Sequence, residues 1–147
     1  MVVAQIAFAW LYSHIFEYFI HKYILHNYKF FKKPFKNHFK LHHGISRKNK
    51  MYDENYEKLI GSKFEFSGLI FLLFLHLPFV FFFKWFYFTL IFSACTYYFL
   101  HKKSHTNVTW GKKWLPWHYE HHMGKNQNIN WGVRLPIVDK IMKTSDY

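Results

Sequence analysis

The chain has 147 residues, 51% of them hydrophobic and 24% aromatic, with 20 Lys and Arg against 8 Asp and Glu for a formal charge of +12. That length carries one domain, residues 1–147, with no room for a second. A single cysteine, Cys95, excludes both an internal disulfide and a thiolate metal cluster, so any metal must be held by nitrogen and oxygen.

Residues 2–20 are almost wholly apolar, interrupted by Gln5, Ser13, His14 and Glu17. They lack a basic start and a small-residue cleavage site, so a removed signal peptide is not expected. A helix from Val2 to His26 measures about 37 Å, enough to cross a hydrocarbon layer of about 30 Å and carry its last turns into water. His14, Glu17, Tyr18 and His21 fall at i, i+3, i+4 and i+7, a polar stripe on an oily helix. Ionisable groups in a membrane span are costly and usually functional. The alternative is a stripe at a helix interface, with Glu17 satisfied by a neighbour and His14 either structural or supporting a ligand.

Residues 27–63 are basic and polar. From Tyr28 to Lys40, Phe alternates with Lys, and Pro34 is expected to break any helix before it. His38, His42 and His43 follow, with Gly44 as a C-terminal stop for the short helix that holds them. Residues 66–83 form an 18-residue apolar run containing His76 and Pro78. His76 is expected to pack rather than ligate. Lys84 is the only charge before a second run, residues 85–100. Two such runs predict a transmembrane hairpin, the second continuing as a helix that presents His101 and His105 at i, i+4. Residues 101–147 are aqueous in this scheme, with Trp110, Trp114 and Trp117 at the membrane surface.

Three crossings leave 11 Lys and Arg in residues 21–63 and 8 in residues 102–147 on one side, which the positive-inside rule makes cytoplasmic. Because the basic residues flank apolar spans, the expected counterpart of the charge is an anionic membrane face and not nucleic acid. The predicted fold is therefore an all-α integral membrane bundle of about three transmembrane helices under a cytosolic histidine-rich cap. The expected location is a bacterial inner membrane or the endoplasmic reticulum, with the C-terminus cytoplasmic.

Of the 12 histidines, ten sit in four clusters: His21 and His26; His38, His42 and His43; His101 and His105; His118, His121 and His122. His121 and His122 diverge by about 100° around a helix, which suits two metals better than one. Ten imidazoles shared between two ions are five each, leaving an octahedral ion one open position. Structural zinc is closed and four-coordinate, so the large nitrogen set points to iron, with zinc as a substitute in isolated protein. A histidine-rich surface or a metal-storage tract would instead show irregular spacing in one block.

Glu17-Tyr-Phe-Ile-His21-Lys-Tyr-Ile-Leu-His26, His38-Phe-Lys-Leu-His42-His43, His101-Lys-Lys-Ser-His105 and His118-Tyr-Glu-His121-His122 occur in this order. Asn130-Trp-Gly132 and Pro136-Ile-Val-Asp139 follow. This pattern resembles the fatty acid hydroxylase/sterol desaturase superfamily of integral membrane di-iron oxygenases, over residues 17–144. The resemblance implies two iron ions held by all ten clustered histidines. It implies dioxygen as co-substrate, a separate cytochrome- or ferredoxin-type electron donor with its reductase, and a membrane lipid substrate. Glu17, Glu120, Asn130 and Asp139 become candidates for orienting the imidazoles through their other ring nitrogens. The expected function is a membrane-bound lipid hydroxylase acting on a fatty acyl or sphingoid-type chain. The alternatives are a carotenoid or sterol hydroxylase or desaturase, and a non-catalytic metal-binding membrane protein. Known members have four or more crossings; a homo-oligomer or reentrant helices would supply the difference.

Overall fold

Apolar residues with few interruptions form α1, Val2–Ile20, and the computed structural model, which describes residues 1–147, continues it into a π-helical turn over His21–Leu25. Next come α2 (Lys32–Phe35), a π-helical stretch (Lys36–His42) and α3 (His43–Lys48) as one continuous helical arm. Pro34 therefore sits in the first turn of a helix, where its missing N–H costs nothing, and does not end one. Gly44 lies inside the arm and does not stop it. A 3₁₀ turn at Glu54–Glu57 precedes α4 (Lys63–His76), the single turn α5 (Phe79–Phe82) and the long α6 (Lys84–Thr106). The chain closes with α7 (Val108–Trp114), α8 (Pro116–Met123) and α9 (Ile137–Ile141).

The starts of these helices are written locally. The Ser62 hydroxyl accepts from the Glu65 amide at 3.3 Å at the head of α4, and the Asn107 side chain accepts from the Trp110 amide at 3.0 Å at the head of α7. Pro116 occupies the first turn of α8. α1 and α6 lie against each other as the central pair, with Ala9, Phe86 and Leu90 buried between them. Gly111 lets α7 turn back onto α6, since a Cβ there would lie 2.9 Å from the Ser104 carbonyl oxygen.

The three expected crossings at 2–20, 66–83 and 85–100 are corrected by this architecture: no helix is long and apolar enough to cross a membrane. Ser13 and Glu17 of α1 turn inward to polar partners, Ser93 at 3.2 Å and Arg134 at 2.6 Å. The 66–83 run divides, because α4 stops at His76 and Pro78 has no N–H to carry the helix on. The 14 residues of α4 reach only about 21 Å. α6 is 23 residues long, but its last turns carry His101, Lys102, Lys103, Ser104 and His105. The fold is thus an all-α bundle with a histidine-rich end. The integral membrane assignment loses its basis with the spans. So do the bacterial inner-membrane or endoplasmic-reticulum location, the cytoplasmic placement of the C-terminus, and the expectation of a membrane-bound hydroxylase.

The burial pattern is inverted relative to an ordinary core. Of 33 buried residues, 11 are hydrophobic and 18 are polar or charged. His43, His101, His105, His118, His121 and His122 rank among the most completely buried side chains. The histidine-rich end of the bundle is buried mainly as imidazole.

Candidate metal centre

Local backbone geometry decides which rings meet. His21 and His26 are five residues apart, which an α-helix would place about 140° apart around its axis. The wider π turn, closed by the His26 amide donating to the His21 carbonyl at 3.2 Å, brings the ring centroids to 5.1 Å. The second π stretch does the same for His38 and His43, at 4.9 Å, while His42, 5.4 Å from His38, joins a different group of rings. Single π turns of this kind recur at functional sites.

The histidines form two sets, each with its ligand atoms within 4.8 Å of one another. One contains His21, His26, His38, His43 and His121; the other contains His42, His101, His105 and His122. The span is close to the roughly 4.2 Å across a coordination shell with bonds of about 2.1 Å. The sequence neighbours His42 and His43 go to different sets, as do His121 and His122. The sets touch where His43 stacks on His122 at 4.0 Å. His118 lies outside both, with Nε2 at 3.3 Å from His105 Nε2, so it adjoins the second set. All ten clustered histidines therefore converge. Neither lone histidine joins them. His76 Nδ1 donates to the Leu72 carbonyl at 2.7 Å, and His14 is held against Trp10 at 4.6 Å.

The outer nitrogens fix the tautomers. His21 Nδ1–H donates to the Trp131 carbonyl at 2.5 Å, His121 Nδ1–H to Ile129 at 2.7 Å and His105 Nδ1–H to Met51 at 2.8 Å. His42 Nδ1–H donates to Asp53 at 3.0 Å and His101 Nδ1–H to Glu65 at 2.5 Å. Each of these five rings then turns a bare Nε2 inward. Nε2 of His42, His101 and His121 is buried without any hydrogen-bond partner, as are both nitrogens of His26 and His122, and Nδ1 of His43 and His118. His21 and His38 bring their Nε2 atoms to 2.8 Å. Orphaned buried acceptors are expensive, and crowded lone pairs repel. A cation between them removes both costs, so these residues fit a pair of nitrogen-bound metal ions.

Protonation does not compete for nine of the ten clustered rings at neutral pH. Burial, with the neighbouring imidazoles adding to it, holds His26 down to about 2. Burial also outweighs the raising effect of the Trp131 hydrogen bond and holds His21 down to about 3. The same causes, burial first, keep His38, His43, His105, His118, His121 and His122 well below the ordinary value of 6.5. His42 is lowered as well, although Asp53 pulls it upward. Burial pushes the Asp53 and Glu65 carboxyls up, but their bonds to His42 and His101 prevail and both end below the usual carboxylate range. These nine rings are neutral ligands, and two anions stand behind the His42 and His101 rings.

The four acidic and amide residues singled out from the sequence bond elsewhere. Glu17 accepts from the Val133 amide at 2.5 Å, the Arg134 amide at 3.1 Å and Arg134 Nε at 2.6 Å. Asp139 accepts from the Trp131 and Gly132 amides at 2.9 and 2.8 Å. Both clamp the 131–134 segment, so they act on His21 through the Trp131 carbonyl. Asn130 has φ of 58°, a left-handed turn that aims the flanking carbonyls of Ile129 and Trp131 at His121 and His21. Glu120 makes no hydrogen bond to an imidazole.

The residues that do hold imidazoles directly, Asp53 and Glu65, were missed, as was Arg134. Two signals were available. Ser62-Lys-Phe-Glu65 has the spacing of a capping box, yet Glu65 is drawn off to His101 and the Tyr56 hydroxyl. Arg47 and Arg134 are the only arginines among 20 basic residues, and both are tied down. Arg47 Nη1 donates to the carbonyls of His122 and Gly124 at 2.7 and 3.0 Å. Arg134 uses two different guanidinium nitrogens, Nε to Glu17 and Nη2 to Ser13, a fixed fork that arginine supplies and lysine does not.

A cleft runs from the histidines between α1, α4 and α6, enclosing about 1090 Å³ with its open mouth included. Its walls are mostly apolar, among them Phe16, Ile20, Leu69, Leu72, Leu73 and Ala94, and His21, His38 and His42 stand at one end. Tyr12 and His76, bonded at 2.9 Å, stand among the residues beyond. From His21 back to Tyr12 is nine residues of helix, about 14 Å.

Two adjoining sets of inward-facing imidazoles, held from outside by carbonyls and carboxylates, define a helical protein with a candidate dinuclear metal centre. Residues 6–144 match the family model described as Fatty acid hydroxylase, and the chain belongs to that family. Comparison with curated proteins and with solved structures finds no match.

Proposed function

We propose that the chain is a dinuclear iron oxidoreductase that uses dioxygen to oxidise a C–H bond in a long apolar chain of the fatty acyl type. The observation that carries this is the meeting of an apolar cleft with an end wall of metal-ready imidazoles. The ten clustered histidines are assigned to the two ions, with His118 completing the second set. An all-nitrogen donor set of this size suits iron with an open position better than closed tetrahedral zinc. When bound, the metals would supply activation of dioxygen, with two electrons from a separate donor and two protons from solvent, so that a C–H bond becomes C–OH and the second oxygen leaves as water.

The protein supplies position and environment. The walls from Phe16 to Leu73 hold an extended chain along its length and set which carbon stops at the imidazoles. Apolar walls also keep bulk water from the reacting end. Asp139, Asn130 and Glu17 hold the 131–134 segment so that its carbonyl fixes the His21 tautomer. Asp53 and Glu65 do the same directly for His42 and His101.

The test is iron content and product in one preparation: two irons per chain, and a fatty acyl product carrying one added oxygen after supply of a reductase. Loss of two hydrogens instead would assign desaturation. His121→Ala should abolish turnover. Ala94→Trp should cut turnover at least about tenfold, equivalent to ~1.4 kcal/mol, with iron content unchanged. Retained turnover in His121→Ala, or iron that exchanges freely with no product, would overturn the assignment.

A further inference from the structure

The outer partners of the imidazoles are not shared equally between the two sets. In the set of His21, His26, His38, His43 and His121, the outer partners are backbone carbonyls, Trp131 for His21 and Ile129 for His121. In the other set, His42 is backed by Asp53 and His101 by Glu65, and only His105 uses a carbonyl. Both carboxylates are shielded from water, with side-chain exposures of 2% and 13%. Both are also locked: Asp53 by the Asn55 amide and side-chain nitrogen at 3.0 and 2.9 Å, Glu65 by the Tyr56 hydroxyl at 2.5 Å. The first set also includes the one incompletely buried member, His26.

A carboxylate behind an imidazole N–H draws the proton outward and makes the opposite nitrogen a stronger donor; a carbonyl dipole does so less. Two full negative charges behind one set also offset the charge of a bound cation, and they act across a poorly hydrated interior where screening is weak. Resting on the dinuclear reading above, we infer that the two metal positions are inequivalent. Asp53 and Glu65 make the His42, His101, His105, His122 position the tight one, and the His21, His26, His38, His43, His121 position the exchangeable one. Asp53 and Glu65 are positioning residues here, acting through the rings they hold.

Ferrous iron titrated anaerobically into the metal-free full chain, with a competing chelator, should bind in two phases separated by at least tenfold in free-iron concentration. A sample loaded with one equivalent of ⁵⁷Fe should give a single Mössbauer doublet, and a second doublet should grow in with the second equivalent. Glu65→Gln should weaken the tight phase by about 10- to 100-fold and leave the other phase in place; Asp53→Asn provides the independent second variant. Rescue by Glu65→Asp would tie the effect to the charge. Two equal affinities in the wild type, or variants that shift both phases together, would overturn the inference while leaving a two-iron protein. A chain that binds no iron, or only one, would instead remove the dinuclear reading itself.

Discussion

Glu17 and Arg134 are 117 residues apart and form a pair with side-chain exposures of 7% and 6%. The carboxylate receives the Val133 amide, the Arg134 amide and the Arg134 guanidinium, and Arg134 Nη2 also donates to Ser13 at 3.1 Å. Glu17→Gln keeps the shape and one acceptor but removes the charge. Three bonds to a charged acceptor, at roughly 1.5–3 kcal/mol each, set an upper bound near 4.5–9 kcal/mol. Glutamine retains part of this, so the governing cost is an arginine left buried without its counter-ion, about 3–5 kcal/mol. Urea unfolding of the metal-free protein, followed by helical circular dichroism, should show that loss as a lower midpoint at unchanged slope. Arg134→Met in the Glu17→Gln background should bring stability back to within about 2 kcal/mol of wild type, because no unpaired charge then remains. A single-variant loss below about 1 kcal/mol would refute the account. So would a double variant that loses the sum of both singles, since the pair would then not be acting as a unit.

Stability of the metal-free protein should fall as pH is lowered. His21 and His26 have folded values of about 3 and about 2 against 6.5 unfolded, so from pH 6.5 downward the unfolded chain takes up protons that the folded one refuses. The slope is up to about 1.4 kcal/mol per pH unit per histidine until the folded values are reached; a flat urea midpoint between pH 7 and 5 would count against it. Asn130→Ala should be less stable than Asn130→Gly by about 1–2 kcal/mol, because only the alanine resists the left-handed backbone. Equal melting temperatures would show that the turn stores no such cost. Saturating the centre with ferrous iron at one hundred times its dissociation constant should stabilise the fold by about 2.7 kcal/mol per site, read as a rise in melting temperature that a chelator reverses.

Helices were legible wherever the chain announced them locally. The i, i+4 spacing of His101 and His105 and the apolar stretch before them give α6, and the compact spacing of His118, His121 and His122 gives α8. The membrane spans were read from the same apolar runs, and there composition misled. It counts residues without seeing that Ser13, Glu17 and His76 turn to partners, or that Pro78 ends a helix. Long-range partners were the least legible part. Glu65 is 36 residues from His101, and Arg134 is 117 from Glu17, and nothing in local spacing links such positions. The carboxylates next to the histidine clusters in sequence, Glu17 and Glu120, looked like the natural supports. The actual supports arrive from the 3₁₀ turn and the head of α4, because the chain folds back after Lys50 and Met51, with φ of 55° and 83°.

The two π turns explain how a chain of this length brings so many imidazoles together. An α-helix presents one side chain per turn on a given line, so a helical pair offers a metal two ligands at i, i+4 and sends the next residue away. At His38-Phe-Lys-Leu-His42-His43 the widened turn aligns positions i and i+5 for the first set and frees i+4 for the second. At His21–His26 it aligns i and i+5 alone. α8 then needs no distortion, since His121 and His122 already diverge by about one residue's rotation, roughly 100°. The two sets are therefore interleaved through shared helices, and neither can be moved without displacing the other. A backbone hydrogen-bond register shifted by one residue is costly in isolation, and so is the crowding of imidazole nitrogens that have no other partner; a cation held between the converged rings would offset both.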